Sequence, residues 1–355
     1  MKIGTLTFHR ACNYGGALQC FALVKALRKM GYNAEVIDYR NPAIESSYAL
    51  ISIKSIKGFI SSLLNFHSSF QKRRNFRSFN KRFVPTSKKV YYSASELSNQ
   101  YDICLIGSDQ VWSKRINHGF DPVYWGHFEG LKATYAASMG TDHNFTQKEY
   151  DTIQLNLNNF NFLSTREDSL RDEIVSLTNK TIKTVVDPTL LITCKDYEEI
   201  AIKPKENNYV LYYQMQYHSR SKEFVTNIAK QLGCKVISIM GPNEKYDGVE
   251  HIHKSVSEVN VQEFVGYILY SKCVIASSFH GTALPIAMRK DFYFLANDRI
   301  DRSVNLLRYL GALDRMKNSS DIIEFENVNY DLIEPLLNAF VDDSFSFIEK
   351  CINNK

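Results

Sequence analysis

Short runs of apolar residues recur along this chain, each leading through a polar turn into a stretch of helical periodicity, and this alternation constrains the fold more than anything else in the sequence. Residues 2–8, 34–39, 101–106 and 132–138 read as strands in the first half, and residues 209–213, 235–240, 273–276 and 292–295 repeat the rhythm in the second. Runs that are continuously apolar mark strands buried on both faces. The helical stretches between them, 15–31, 220–233 and 261–270 among them, supply the crossovers that parallel strands need. The expected class is therefore α/β, built as doubly wound sheets whose ligands lie beyond the carboxyl ends of the strands. At 355 residues the chain is long for one core. The polar segment at 192–207, with Pro204, is the expected boundary. It separates a domain at 1–195 from one at 196–328, and residues 329–355 form a terminal helix that packs across both. Two such domains leave a cleft between their facing carboxyl edges.

Charge is informative through its location. Between Glu45 and Glu96 there is no acidic residue, while Lys54, Lys57, Lys72, Arg73, Arg74, Arg77, Lys81, Arg82, Lys88 and Lys89 are all basic. Without these ten, the remaining 33 basic residues face 38 acidic ones, so the excess of +5 is local to a helical insert at about 46–95. Phenylalanines at 59, 66, 70, 76, 79 and 83 interleave with it. Two readings fit that composition. One is an amphipathic basic segment at 54–89 facing an anionic membrane surface or a phosphorylated partner, and the other is a pair of core-packed helices with a solvated basic face. Nucleic acid is not expected, because no recognition motif accompanies the charge.

Seven cysteines form an odd, scattered set with no C-x-x-C, which suits reduced core residues of a cytoplasmic protein. The first ten residues hold too short an apolar run for a signal peptide, and no stretch approaches the ~18 apolar residues of a membrane span. The sequence lacks H-E-x-x-H, D-x-D, G-x-G-x-x-G, a P-loop and the G-x-S-x-G elbow. Metal-independent chemistry without a cofactor is expected, and His251 and His253 read as surface residues of a polar loop.

Candidate site residues follow from the strand ends. Past residues 273–276 come Ser277, Ser278, Phe279, His280, Gly281 and Thr282, with a helix reading from Gly281. Amides at such a helix start favour an anion, and His280 either grips a phosphate or caps the helix. Asn13-Tyr14-Gly15-Gly16 lets a ligand approach the backbone before the first long helix. Ser108, Asp109 and Gln110 follow the strand at 101–106, where a carboxylate and an amide suit sugar hydroxyls and Trp112 offers a stacking face. Arg166 presents a planar fork to a carboxylate or phosphate, or else pairs with Glu167 or Asp168.

Six blocks then stand in one order: Asn13 to Gln19, Gly107 to Trp112, Tyr135 to Gly140, Arg166-Glu167, Asp187 to Leu191, and Ser278 to Ala283. In these the chain resembles the polysaccharide pyruvyl transferase family. The resemblance implies a two-domain fold similar to the GT-B glycosyltransferases. It also implies transfer of pyruvate from phosphoenolpyruvate onto sugar hydroxyls as a ketal, with release of phosphate, in building a capsule or exopolysaccharide or its lipid-linked precursor. It assigns the donor to Arg166, Ser278, His280, Gly281 and Thr282, with Arg299 or Arg302 as a further basic residue. The acceptor falls to Asn13, Tyr14, Gly15, Gly16, Gln19, Ser108, Asp109, Gln110 and Trp112. His280, whose type titrates near about 6.5, is the expected acid or phosphate ligand beside Arg166, and Asp109 positions the acceptor or acts as base. The implied setting is cytoplasmic, peripheral at the inner face of the membrane. Two other classes fit the same pattern: a glycosyltransferase using a nucleotide sugar, and a non-catalytic sugar-binding scaffold of polysaccharide assembly.

Overall fold

A computed structural model of the chain describes residues 1–47, 63–140, 145–214, 221–240, 246–296, 301–318 and 320–353. Lys54, Lys57 and Arg299 lie outside the described residues. The chain divides into two units, Met1–Leu191 with Val341–Lys355, and Ile192–Phe340.

The first unit carries a parallel sheet of β1 (Lys2–Leu6), β2 (Asn33–Tyr39), β3 (Thr86–Tyr91), β4 (Ile103–Gly107) and β5 (Lys132–Tyr135), in the order β3-β2-β1-β4-β5. A further parallel pair, β6 (Leu163–Thr165) and β7 (Ile182–Thr184), joins it through the bridges Ala133–Phe162 and Ala137–Thr165. Every residue of β4 and β5 is buried, as the apolar run of β4 requires. The helix Tyr14–Lys29 is buried on nearly all sides, because the sheet lies on one side of it and the helix Phe66–Phe83 on the other. Tyr14 meets Phe76 at 5.3 Å and Phe21 meets Phe79 at 6.0 Å between ring centres.

The second unit repeats the design with β8 (Tyr209–Tyr213), β9 (Lys235–Ile239), β10 (His251–Lys254), β11 (Cys273–Ala276), β12 (Phe292–Leu295) and β13 (Met316–Lys317), all parallel, in the order β10-β9-β8-β11-β12-β13. Both units are doubly wound α/β, as the alternation of apolar runs and helices leads one to expect. In each, the strand order reverses beside the unit's first strand, between β1 and β4 and between β8 and β11.

Two elements depart from the sequence reading. Residues 251–253, expected as surface residues of a polar loop, form edge strand β10, where both histidine rings reach the Ser238 hydroxyl, at 2.7 and 3.2 Å. An edge strand is half solvated, so its sequence is polar and lacks the apolar signature. β3 was masked in the same way by Lys88 and Lys89, both exposed. The basic insert divides by face: Phe76 and Phe79 are core, while Phe66 and Phe70 remain exposed, at 41% and 48%.

Candidate functional site

In the second unit β11 ends at Ala276, and the chain turns through Ser277 and Ser278 into the helix Phe279–Ala287. The helix begins two residues earlier than the sequence suggests, so His280 lies in its first turn instead of before it. Ser278 is the cap: its backbone is extended and its hydroxyl oxygen accepts from the Gly281 N–H at 3.2 Å. The buried Thr282 hydroxyl donates to the Ser278 carbonyl at 3.1 Å, so Thr282 fastens the helix start from behind and is not an exposed donor ligand. The half-buried His280 ring meets the edge of Phe279 at 5.2 Å, and the Arg302 guanidinium lies over the same phenyl ring at 5.9 Å. The structure thus gathers Ser278, His280 and Arg302 at one helix N-terminus, where aligned peptide dipoles favour negative charge.

Gly281 is what lets this helix start so close to the sheet. A Cβ there would fall 2.5 Å from the Cβ of Ala276 and 3.0 Å from the Tyr213 ring. Gly281→Ala is expected to cost about 1–3 kcal/mol through overpacking and to reduce turnover as the helix start shifts, measured by thermal unfolding beside any transfer assay.

One residue was missed by sequence reasoning. Gln214 directly follows β8, whose last residue, Tyr213, pairs with Ala276 at the end of β11. Gln214 is 1% exposed, its N–H donates to the Ile239 carbonyl at 3.3 Å, and neither atom of its side-chain amide has a hydrogen-bond partner among the described residues. A buried primary amide left in that state is costly. It sits at the reversal of strand order, the place where open α/β sheets bind ligands. The available signal was its position immediately past an apolar strand, which it shares with many ordinary turn residues.

In the first unit β4 ends in three successive residues of left-handed backbone, Gly107 at φ 132°, Ser108 at 36° and Asp109 at 61°. A Cβ on Gly107 would lie 2.4 Å from the Tyr135 carbonyl oxygen, so only glycine fits. The Ser108 N–H donates to Tyr135 at 2.8 Å and the Thr7 hydroxyl donates to the Ser108 carbonyl at 3.1 Å, holding the turn. Strain of roughly 1–3 kcal/mol per such non-glycine residue is kept where the surroundings enforce it, often at ligand sites. Asp109 and Gln110 are half-buried at its tip.

Arg166 lies beyond β6, 4% exposed. Its guanidinium donates to Asp187 Oδ2 at 2.8 Å and lies 3.7 Å from Glu167 Oε2. Asp187 also accepts from the Thr189 N–H at 3.0 Å, from the Thr189 hydroxyl at 2.7 Å and from the Ser108 hydroxyl at 3.4 Å. Burial alone would favour loss of the arginine proton, but the charges of Asp187, Glu167 and Asp109 outweigh it and raise the pKa. Arg166 therefore works from inside a cage of carboxylates. Asp168, the other partner considered for it, instead pairs with Arg171 at 2.7 Å.

Three expected acceptor residues turn out to be core. Trp112 stacks on Trp125 at 4.3 Å with its Nε1–H donated to the Tyr124 carbonyl, so no indole face is left for a sugar. Gln19 is fully buried and donates to the Thr7 hydroxyl at 2.9 Å. Tyr14 is 1% exposed against Phe76. In each case a large side chain turned inward, where the area it buries outweighs any contact at the rim. Gly15 and Gly16 are buried as well, in the first turn of a helix that the half-buried Asn13 caps by accepting the Gly16 N–H at 2.5 Å. Among the described residues no three His, Cys, Asp or Glu side chains are grouped so as to hold a metal, and no helix is long and apolar enough to cross a membrane.

A family model described as polysaccharide pyruvyl transferase matches residues 13–299. No curated protein matches the chain. Solved structures similar to it include the UDP-GlcNAc 2-epimerase of Neisseria meningitidis bound to UDP-GlcNAc, at 10% identity, TM-score 0.45, covering 99% of this chain and 93% of that one. The glycosyltransferase SnogD of Streptomyces nogalater is 10% identical, with TM-score 0.42 and coverage of 99% and 96%. An alpha-glucosyltransferase in complex with UDP and a 13-mer DNA is 10% identical, with TM-score 0.47 and coverage of 98% and 95%.

Proposed function

Since this chain belongs to the polysaccharide pyruvyl transferase family, we propose that it moves the pyruvyl group of phosphoenolpyruvate onto two hydroxyls of a sugar acceptor, as a ketal, and releases phosphate. A proton adds to the enol C3, and one sugar hydroxyl adds to C2 and loses its proton. The C2–O bond to phosphate then breaks, and a second hydroxyl closes the ketal with loss of its own proton. The observation that carries this reading is the anion-favouring helix start in the second unit, where His280 and Arg302 share Phe279 and the buried amide of Gln214 lies at the neighbouring strand end. In this reading the donor phosphate and carboxylate meet Ser278, His280, Arg302 and Gln214, and Asp109 with Gln110 orients sugar hydroxyls. Arg166 acts by fixing the turn at Ser108 and Asp109. We also assign the basic stretch within 54–89 to an anionic membrane surface at which a cell-surface polysaccharide precursor is held.

The test is incubation of the protein with phosphoenolpyruvate and candidate glycans or glycolipids, reading released phosphate and the mass of a pyruvyl adduct. Stabilisation against heat by phosphoenolpyruvate supports the reading, and stabilisation by nucleotide sugars alone overturns it. Gln214→Leu separates a ligand-binding role from a structural one. Replacing an unpartnered buried amide by an apolar side chain is expected to leave stability equal or raise it by about 1 kcal/mol, while the KM for phosphoenolpyruvate rises roughly ten-fold, the loss of one hydrogen bond to a charged group. Unchanged kinetics would remove Gln214 from the site.

A further inference from the structure

The first unit contains a cavity of about 260 Å³ that the transfer chemistry does not use, between the helix Phe66–Phe83 and the ends of β1 and β2. Arg73, Arg77 and Lys81 line it from one helix, spaced by one turn each, so they form a single stripe about 12 Å long. The two carboxylates in the same wall are already matched. Glu45 takes both nitrogens of a fork from Arg10, at 2.6 and 2.9 Å. Asp38 accepts from Arg40 at 3.0 and 2.8 Å and lies 3.1 Å from His9. Burial would raise the Asp38 pKa, but these hydrogen bonds hold it well below the usual carboxylate range, so it stays anionic and paired. Arg73, Arg77 and Lys81 form no ion pair among the described residues, and no acidic residue occurs anywhere between Glu45 and Glu96. Three positive charges in a line are left over. The cavity also holds an acceptor: Asn80 Nδ2 donates to the His9 carbonyl at 2.6 Å, which fixes the amide's orientation and leaves its buried Oδ1 without a partner among the described residues.

The same helix face continues toward the helix start as apolar surface. Phe66, Phe70, Arg73, Arg77 and Lys81 follow spacings of four, three, four and four, which put them on one side. Phe66 and Phe70 stack at 6.2 Å and are exposed, with Leu63 and Leu64 beside them at 50% and 81%. An apolar end followed by a line of unmatched cations is the complement of an amphiphile with a multiply charged head.

We propose that this face is a headgroup site for an amphiphile bearing a diphosphate, with the phosphates along Arg73, Arg77 and Lys81, a hydroxyl of the attached group donating to Asn80 Oδ1, and the apolar chain against Phe66 and Phe70. This deepens the membrane assignment made above by replacing diffuse attraction with a built pocket. Its test needs no phosphoenolpyruvate, so its failure and the failure of transfer are told apart.

The experiment is titration calorimetry of the full chain at low and moderate salt with inorganic pyrophosphate, with geranylgeranyl diphosphate, and with phosphatidylglycerol vesicles. The triple variant Arg73→Gln, Arg77→Gln, Lys81→Gln and the double variant Phe66→Ser, Phe70→Ser are compared, each checked for folding by circular dichroism. Geranylgeranyl diphosphate is expected to bind at least ten-fold tighter than pyrophosphate. The triple variant should lose at least ten-fold for both, and the double variant should bring the two probes to equal affinity. Equal affinity of both probes for the unaltered protein makes the pocket one for a water-soluble diphosphate and overturns the amphiphile. Unchanged binding in the triple variant, absence of binding at low salt, or equal binding of phosphatidylglycerol at matched lipid charge overturns the headgroup site.

Discussion

Replacing His280 with alanine is expected to lower phosphate release from phosphoenolpyruvate by roughly 10²–10⁴, the range that a positioned proton donor or acceptor contributes, with thermal unfolding nearly unchanged. The side chain is half-buried and borders the ring of Phe279, so its truncation removes little packing. Glutamine at the same position discriminates between two roles. It keeps a hydrogen-bond donor but cannot pass a proton at neutral pH. A Gln variant as poor as the Ala variant assigns proton transfer to His280, and one that retains a substantial part of the rate with a higher KM assigns it to holding phosphate. Full activity in His280→Ala removes this helix start from the chemistry.

The second large effect is on stability. Asp187→Ala leaves the guanidinium of Arg166 without its closest carboxylate in a place that is 4% exposed. Breaking a buried pair from one side costs about 3–5 kcal/mol, which for a unit of this size lowers the unfolding midpoint by roughly 6–20 °C. The Thr189 contacts and the Ser108 hydroxyl lose their acceptor as well, and the strained turn at Ser108 and Asp109 loosens. Removing both charges in Arg166→Met with Asp187→Leu is expected to recover much of the loss, because well-packed apolar residues often replace a buried pair at little cost. That double variant also decides what Arg166 is for. Restored stability with restored activity makes it a structural residue, and restored stability without activity makes its charge part of the site.

The alternation of strand and helix was legible because its central strands are buried on both faces. Residues 103–106 and 273–276 are apolar without interruption, and little but a parallel sheet accepts such runs at that spacing. The edges were not legible. Lys88 and Lys89 in β3, and His251 and His253 in β10, meet water on one side, so their residue types are those of loops. At the site, the position of a residue past a strand end was correct for Asp109, Gln110 and His280, but its direction could not be known. Trp112, also past the end of β4, faces inward, since an indole is accepted on either side of a sheet rim when a carbonyl waits beneath it, and Gln19 is turned inward by its place in the helix Tyr14–Lys29, against the Thr7 hydroxyl. Arg166 paired with Asp187, 21 residues away, because the parallel pairing of β6 and β7 sets their ends side by side, and sequence distance carries no trace of that.

The stack of Trp112 on Trp125 has a spectroscopic consequence. These are the chain's two tryptophans, both in the first unit, with ring planes 5° apart and both rings buried. Burial should hold the emission of both indoles at short wavelength. That emission moves to longer wavelength when the first unit melts, and the second unit carries no tryptophan. Indole emission followed against far-ultraviolet dichroism therefore resolves the melting of one unit from that of the other without any label. It also places each variant's damage: Asp187→Ala should move the indole transition, and Gly281→Ala should leave it where it was.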